Sequence, residues 1–169
     1  MVLPILLTLA IGLAEVGFLV IDYITLTNAA RSGARTGATL TTDPGADTAI
    51  LDVVEEDLCN LRYGDVVVVR VFLANADGTM SGSSNNYTPS GALNCDAPGH
   101  AFSCDGSEGG CNWPPSSRNN VPPSNFDQLG VRVEYTHDYV TDFLPFPTTD
   151  LTETAIMQLE PDTSVGIGG

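Results

Sequence analysis

Lysine is absent from this chain, and positive charge is scarce: six arginines stand against 21 aspartates and glutamates, for a formal net charge of −15. Residues 1–42 are neutral, because two acidic residues there offset two arginines, so residues 43–169 carry the whole excess. An acidic surface of this kind repels phosphate backbones, and we expect no nucleic-acid partner. Acidity alone has no geometry, so we interpret it as a contribution to solubility.

The chain also lacks the residue patterns that carry catalysis. It has two histidines and no G-x-S-x-G, P-loop or H-E-x-x-H motif. One of them, His137, falls on the apolar face of a predicted strand, where a histidine satisfied within the core is the expected structure. The cysteines show no zinc-knuckle spacing, and the acidic residues do not follow the alternating register of a calcium loop. We expect no enzyme activity, no cofactor and no metal site.

What the chain has is a nearly unbroken apolar run over its first 21 residues, with Glu15 as the single charge. About 20 apolar residues are enough to span a bilayer. Helix-compatible sequence continues beyond the run until Pro44 and Gly45, which break it. We predict one helix from Leu3 to Leu40, about 57 Å long at 1.5 Å per residue. Its second half must therefore project from the membrane or pack within a head.

Three interpretations of this segment compete. A cleaved secretory signal needs a basic region before the apolar run, and none is present. A plain single-pass anchor explains the length but not Glu15, because a carboxylate in lipid costs at least a few kcal/mol unless it has a partner. In an assembled helical core, small residues at one-turn spacing would let helix backbones approach closely. The combination of Glu15 with such small residues favours the assembled core.

The assembly hypothesis names specific contacts on the helix. Two arginines one turn apart would receive an acidic residue from a neighbouring, axially shifted copy. The alternatives are that the arginines are merely solvated or lie at lipid headgroups, and that the alanines are simply good helix formers. The predicted assembly contacts are Glu15, Asp22, Ala30, Arg31, Gly33, Ala34, Arg35 and Gly37.

Residues 43–169 predict a small α+β head carried by the helix of residues 1–42. Asp47 is a candidate N-cap for a short helix, and the acidic run Glu55-Glu56-Asp57 is expected on its solvated side. The apolar face of this helix comprises Ile50, Leu51, Val54 and Leu58. Alternating apolar residues predict a roughly three-stranded antiparallel sheet from residues 66–74, 131–140 and 151–160.

A loop over residues 75–128 separates the first two predicted strands and is rich in Gly, Pro, Ser and Asn. Loops this long are uncommon in compact domains and are often functional. Tyr87 and Trp113 are candidate exposed contacts within it. An even number of cysteines in an exported head predicts two disulfides, with all three pairings open. The four cysteines are Cys59, Cys95, Cys104 and Cys111.

The N-terminal sequence contains three motifs that together resemble a known family. They are V-L-P-I-L-L at residues 2–7, Glu15 with Gly17 shortly after it, and T-N-A-A-R-S-G-A-R-T-G-A at residues 27–38. I-M-Q-L-E-P at residues 156–161 also resembles the way such chains end. The resemblance is to the TadE-like family, which comprises pilins and pseudopilins of the tight-adherence (Tad) branch of type IV pilus systems.

The resemblance implies a pilin-like helix and a precursor that a prepilin peptidase cleaves after a glycine. The chain would be inserted in the cytoplasmic membrane before assembly and then extracted by the pilus assembly machinery into an extracellular surface filament of its own copies. The processing glycine has no counterpart upstream of Val2. Glu15 therefore matches only the second, mid-helix acidic position of the family.

The sequence leads to one main functional hypothesis, a structural subunit of an extracellular filament that polymerises through its N-terminal helix. A minor pseudopilin of a cap or priming complex is the second hypothesis, since it shares every feature of the helix. A single-pass anchored adhesin, displaying the disulfide loop, is the third.

Overall fold

The long helix and the short helix form where the sequence predicts them. A computed structural model describes residues 2–93, 95–96, 102–104, 111–121, 125–141 and 147–161. Helix α1 spans Leu3–Leu40, with a proline in its first turn, where the missing N–H costs nothing. Helix α2 spans Ala46–Leu58 and buries its predicted apolar face. Its N-cap is Gly45 and not Asp47, which lies within the first turn.

The described strands form one antiparallel sheet of five, where the sequence predicted three. The strands are β1 (Gly64–Ala74), β2 (Met80–Pro89), β3 (Phe102–Cys104), β4 (Gln128–Asp138) and β5 (Thr148–Gln158). Their order across the sheet is β3-β2-β1-β4-β5. Strands β1, β4 and β5 confirm the three predicted strands. Five of their six ends are displaced by two or three residues, because sequence pattern specifies the ends of an element less well than its interior.

Strands β2 and β3 lie within the segment predicted as a loop. Strand β2 reads MSGSSNNYTP and has few of the β-branched and apolar residues that signal a strand. It forms because the edge of β1 offers it a hydrogen-bonding partner, with Val71 opposite Asn85 and Val69 opposite Tyr87. Backbone pairing, and not side-chain propensity, therefore decides its conformation.

The core lies where α1 and α2 pack against the sheet. Helix α1 contributes mostly small residues to it: Leu26, Ala29, Ala30 and Ala34 are at most 1% exposed. Opposite them, the core contains Ile50, Val54 and Leu58 of α2 and Val69, Val71, Val131 and Val133 of the sheet. Small side chains on α1 let its backbone approach both layers closely. Glu55 is also fully buried, which corrects the prediction that it lies on the solvated side of α2.

Two disulfides are present, as predicted, and the structure identifies their pairing. Cys59, at the C-cap of α2, pairs with Cys95, which follows β2. Cys104 at the end of β3 pairs with Cys111. The first bridge therefore joins the helical layer to the long connection between β1 and β4 (residues 75–127). The second bridge closes a short loop within that connection.

A buried polar network centred on Asp47 holds the rest of the long connection. The Asp47 carboxylate accepts hydrogen bonds from the buried Arg118 guanidinium, from Asn85 Nδ2 at 2.7 Å and from the Tyr87 hydroxyl at 2.7 Å. Arg118 stacks over the Trp113 ring at 4.7 Å. Trp113 is only 3% exposed and Tyr87 is half-buried, so the prediction that they are exposed contacts is wrong. Both residues stabilise the connection from inside.

Substitution of Gly33 is expected to destabilise the head. A Cβ at Gly33 would lie 2.7 Å from Val54 Cγ2 and 3.3 Å from Val131 Cγ1, whereas a Cβ at Gly17 would meet nothing within 4 Å. Gly33→Ala should lower the free energy of unfolding by about 1–3 kcal/mol through overpacking. Gly17→Ala, the matched control in the same helix, should leave it unchanged or raise it by up to about 1 kcal/mol.

The measurement is denaturant unfolding of the full chain in detergent, followed by the fluorescence of Trp113. Equal stability of the two variants would contradict the close approach of α1 to α2 and the sheet.

Candidate functional site

The first part of α1 extends beyond the head. From Leu3 to Ala14 the side chains are exposed except at Ile11 and Gly12, with Leu3 80% and Leu13 74% exposed. The segment is apolar around its whole circumference, which is unlike a surface helix that buries one stripe. By length and composition, α1 qualifies to cross a membrane.

Glu15 is the first side chain of α1 that the head covers. It is 2% exposed, and its carboxylate accepts two backbone hydrogen bonds from the turn that follows β4. Thr141 N–H donates to Oε1 at 2.6 Å, and Val140 N–H donates to Oε2 at 3.2 Å. Charge-assisted bonds of this kind are roughly twice as strong as neutral ones. The head therefore ties its β4–β5 turn to the apolar part of the helix.

Asp22 forms the second polar anchor, two turns further along α1. Its Oδ2 lies 2.6 Å from Nδ1 of His137, which is fully buried on β4. The Tyr135 hydroxyl shares its single proton between the carbonyl of Tyr63 and the same Asp22 oxygen, which lies 3.3 Å away. Because an ionised carboxylate only accepts, His137 must donate its Nδ1–H here. The histidine thus lies within the core, as the sequence predicts, but only its Nδ1 is satisfied, because the buried Nε2 has no hydrogen-bond partner in the described part of the chain.

The environment of Tyr135 favours its neutral form. Burial raises the pKa of the Tyr135 hydroxyl above its ordinary value, and the neighbouring Asp22 carboxylate raises it further. Burial raises the pKa of Tyr87 in the same way, with Asp47 as the second cause. In both cases the hydroxyl donates to a carboxylate of the helical layer.

Arg31 and Arg35 lie on the free side of α1. Both are exposed, and they line a polar groove whose other wall, on α2, carries Val53 and Asp57. Neither arginine forms a salt bridge with any residue in the described part of the chain. They are therefore available to an acidic partner.

The structure divides the eight predicted assembly contacts into two sets. Only the two arginines remain on a free surface. The chain's own head covers the others, which are Glu15, Asp22, Ala30, Gly33, Ala34 and Gly37. This corrects the expectation that the small residues and the carboxylates face a neighbouring copy. The physical reason is that close approach, which a Gly and Ala stripe permits, is used between α1 and its own α2 and sheet.

Sequence reasoning missed the partners of both carboxylates. Thr141 and His137 are 126 and 115 residues away from the carboxylates they bind, and nothing local marks either contact. The one available signal was the coincidence of a charge inside an apolar run with a histidine on an apolar strand face. Nothing in the sequence indicated that Arg118 would bind the Asp47 carboxylate.

Comparisons with known proteins agree with this picture of the helix. The family model described as TadE-like protein matches residues 1–35, which confirms the resemblance to the TadE-like family and supports a role in Tad pilus systems. The matched segment contains the free apolar part of α1, both acidic anchors and both exposed arginines. No curated protein and no solved structure matches the chain.

Removal of the Asp22 carboxylate is expected to destabilise the fold strongly. Asp22→Ala would leave the Nδ1–H of His137 buried without its acceptor, while Tyr135 would keep the carbonyl of Tyr63. Leaving a buried donor unsatisfied in this way costs about 1–3 kcal/mol. Asp22→Asn keeps an acceptor and should cost less. Asn28→Ala, an exposed position on the same helix, is the control and should stay within about 0.5 kcal/mol of the wild type.

Denaturant unfolding of the full chain in detergent, followed by Trp113 fluorescence, measures these differences. Wild-type stability of Asp22→Ala would show that the helix does not depend on this anchor.

Alkaline pH is expected to destabilise the protein through its buried tyrosines. Because the folded-state pKa of Tyr135 is raised, its contribution is complete below the unfolded pKa of about 10 and is lost as the pH rises through the folded pKa. The free energy of unfolding should therefore fall above about pH 10. Tyr135→Phe should be less stable at neutral pH but lose less stability on alkalinisation. An identical pH slope in wild type and variant would disprove the coupling.

Proposed function

We propose that this chain is a structural subunit of an extracellular Tad-type pilus filament that polymerises through α1 after a stage in the cytoplasmic membrane. The observation that carries the proposal is the free, all-round apolar segment from Leu3 to Ala14, within the region that matches the TadE-like family. Outside a membrane, such a segment must be covered by protein. Copies of the same helix supply a cover of the same chemistry.

Outside lipid, burial of the exposed apolar side chains favours association. Burial of one large aliphatic side chain contributes about 1.5–3 kcal/mol, so six of them contribute on the order of 10 kcal/mol before the entropy cost of association. The six are Leu3, Ile5, Leu6, Leu7, Leu9 and Leu13, all at least 60% exposed.

Electrostatic contacts would determine the relative position of neighbouring copies, which apolar burial alone does not specify. Each head is strongly acidic, and Arg31 and Arg35 are exposed cations without an ion-pair partner among the described residues. Because Glu15 and Asp22 are used within their own chain, the partner of the arginines in a filament would be the acidic surface of a neighbouring head. Electrostatic complementarity of this type determines orientation more than affinity.

A minor pseudopilin of a Tad-type assembly or secretion machine is the second candidate. The described part of the head contains a five-stranded sheet and two disulfides, which is large for a major subunit of the tight-adherence type. Abundance separates the two candidates, because a major subunit dominates the material sheared from cells. An anchored adhesin is the third. A substitution at Gly33 does not distinguish it from a filament subunit, since that glycine packs against its own head.

Filament composition tests the proposal directly. Electron microscopy of sheared material, with mass spectrometry under non-reducing conditions, should show filaments composed mainly of this chain. The intact mass should correspond to two disulfides and would identify the mature N-terminus. Retention of the chain in the membrane fraction, with filaments that lack it, would favour the pseudopilin or the adhesin.

Charge reversal tests the role of the arginines. Arg31→Glu with Arg35→Glu should reduce filament yield by roughly tenfold or more, since about 1.4 kcal/mol per contact already changes an equilibrium constant tenfold. Arg62→Glu, at an exposed position on the head, is the matched control and should assemble normally. Normal filaments from the double variant, with a folded head, would count against an electrostatic register at this site.

A further inference from the structure

We propose that the end of the head at the β4–β5 turn, around Val140 and Thr141, enters the lipid bilayer beside α1 while the chain resides in the membrane. The partner of this surface is therefore lipid. The inference rests on the membrane stage of the proposed function and does not depend on filament assembly.

The turn and the apolar helix lie together because Glu15 joins them. Both backbone N–H groups at the start of the turn donate to the Glu15 carboxylate. Val140 is 51% exposed, and the helix residues that flank Glu15 are exposed as well, with Leu13 at 74% and Val16 at 56%. An exposed apolar side chain of the head thus lies beside the apolar helix, with the exposed Asp138 two residues before it.

Tyrosines mark the level at which the bilayer would end. Tyr23 is 50% exposed on α1 itself. The Tyr63 ring lies 5.0 Å from Phe18, and the Tyr139 ring lies 5.2 Å from His137, the partner of Asp22. Besides the buried Tyr135, which contacts Asp22, three tyrosines therefore lie close to the helix between positions 18 and 23. Tyrosine is enriched at membrane–water interfaces, because its ring is apolar and its hydroxyl is polar.

Glu15 lies on the hydrocarbon side of this level. It precedes positions 18–23 by three to eight residues, which corresponds to about 4.5–12 Å along the helix axis. Because Val140 and Thr141 contact Glu15, they lie at a similar depth. Val140 and Thr141 would therefore lie just inside the hydrocarbon, below the headgroups.

The hydrogen bonds make this depth tolerable. An ionised carboxylate in lipid normally needs a partner, and backbone N–H groups in lipid must be satisfied internally. The Glu15 carboxylate and the two turn amides satisfy each other. This arrangement also explains how an acidic residue is accommodated within the apolar run.

The opposite end of the head provides a matched control. Val121 is 41% exposed, close to the value for Val140, and lies near Arg118, whose Nη1 donates to the carbonyl of Thr41 at 3.4 Å. Thr41 is 26 residues beyond Glu15, about 39 Å along the helix. A probe at Val121 should therefore remain in water.

The experiment places tryptophan at these positions in the full chain, reconstituted in phosphatidylcholine vesicles whose acyl chains carry bromine at known depths. Val140→Trp should show blue-shifted emission and several-fold stronger quenching by shallow bromines than Val121→Trp. Leu13→Trp, on the helix, is the positive control and should also be quenched. Trp113 is buried in the head, supplies the wild-type background and shows that each variant is folded.

Two results would overturn the inference while the membrane stage stands. The first is quenching of Val140→Trp no stronger than that of Val121→Trp, with Leu13→Trp quenched. The second is a blue shift without quenching, which would mean that a second copy of the chain covers the turn. Failure of the wild-type chain to remain with the vesicles would instead overturn the membrane stage, and the inference with it.

Discussion

The close approach of α1 to the rest of the chain is the constraint on which the other features depend. Alanines and glycines between positions 29 and 38 leave no side-chain bulk between the helix backbone and the core. Val54 and Val131 occupy the space that a larger residue at Gly33 would need. Because this part of the helix packs against both α2 and the sheet, the direction of the helix axis relative to the sheet is determined. That direction brings the earlier part of α1 alongside the ends of β4 and β5.

The helix then contacts the head through two kinds of chemistry. Beyond Leu26 the contacts are apolar and tightly packed, as in any domain core. Between Glu15 and Asp22 they are mostly hydrogen bonds from the head to two carboxylates. Polar contacts of this kind specify position more reliably than they add stability, because the desolvation of the charges offsets much of the gain. The hydrogen bonds to Glu15 and Asp22 therefore determine where the helix leaves the head, while the apolar contacts beyond Leu26 hold it there.

Part of this architecture could be predicted from local pattern. The two helices, the Val-rich strand β1 and the alternating strands β4 and β5 all have periodicities that suit their conformations. Strand β2 could not be predicted, since its polar sequence becomes a strand only through pairing with β1. The same limit applies to Trp113, which was expected at the surface. It is buried because Arg118 and Asp47 form a charged network around it, and no residue near Trp113 in the sequence signals that network.

The sequence by itself determined the long apolar helix, the acidic head, the two disulfides as a count, and the resemblance to the TadE-like family. These properties follow from composition and from spacing within a few turns, where each residue's neighbours along the chain are also its neighbours in space. Only the tertiary structure decided the disulfide pairing, the partners of Glu15 and Asp22, and the side of α1 that remains free. The partners of Glu15 and Asp22 lie more than 100 positions away in the chain, and the packing of α1 across the sheet brings them together. The disulfide partners are 36 and 7 positions apart, and local sequence favoured none of the three possible pairings. The stripe of small residues on α1 was identified from sequence. Only the fold showed that this stripe packs against the head of its own chain and not against a neighbouring copy.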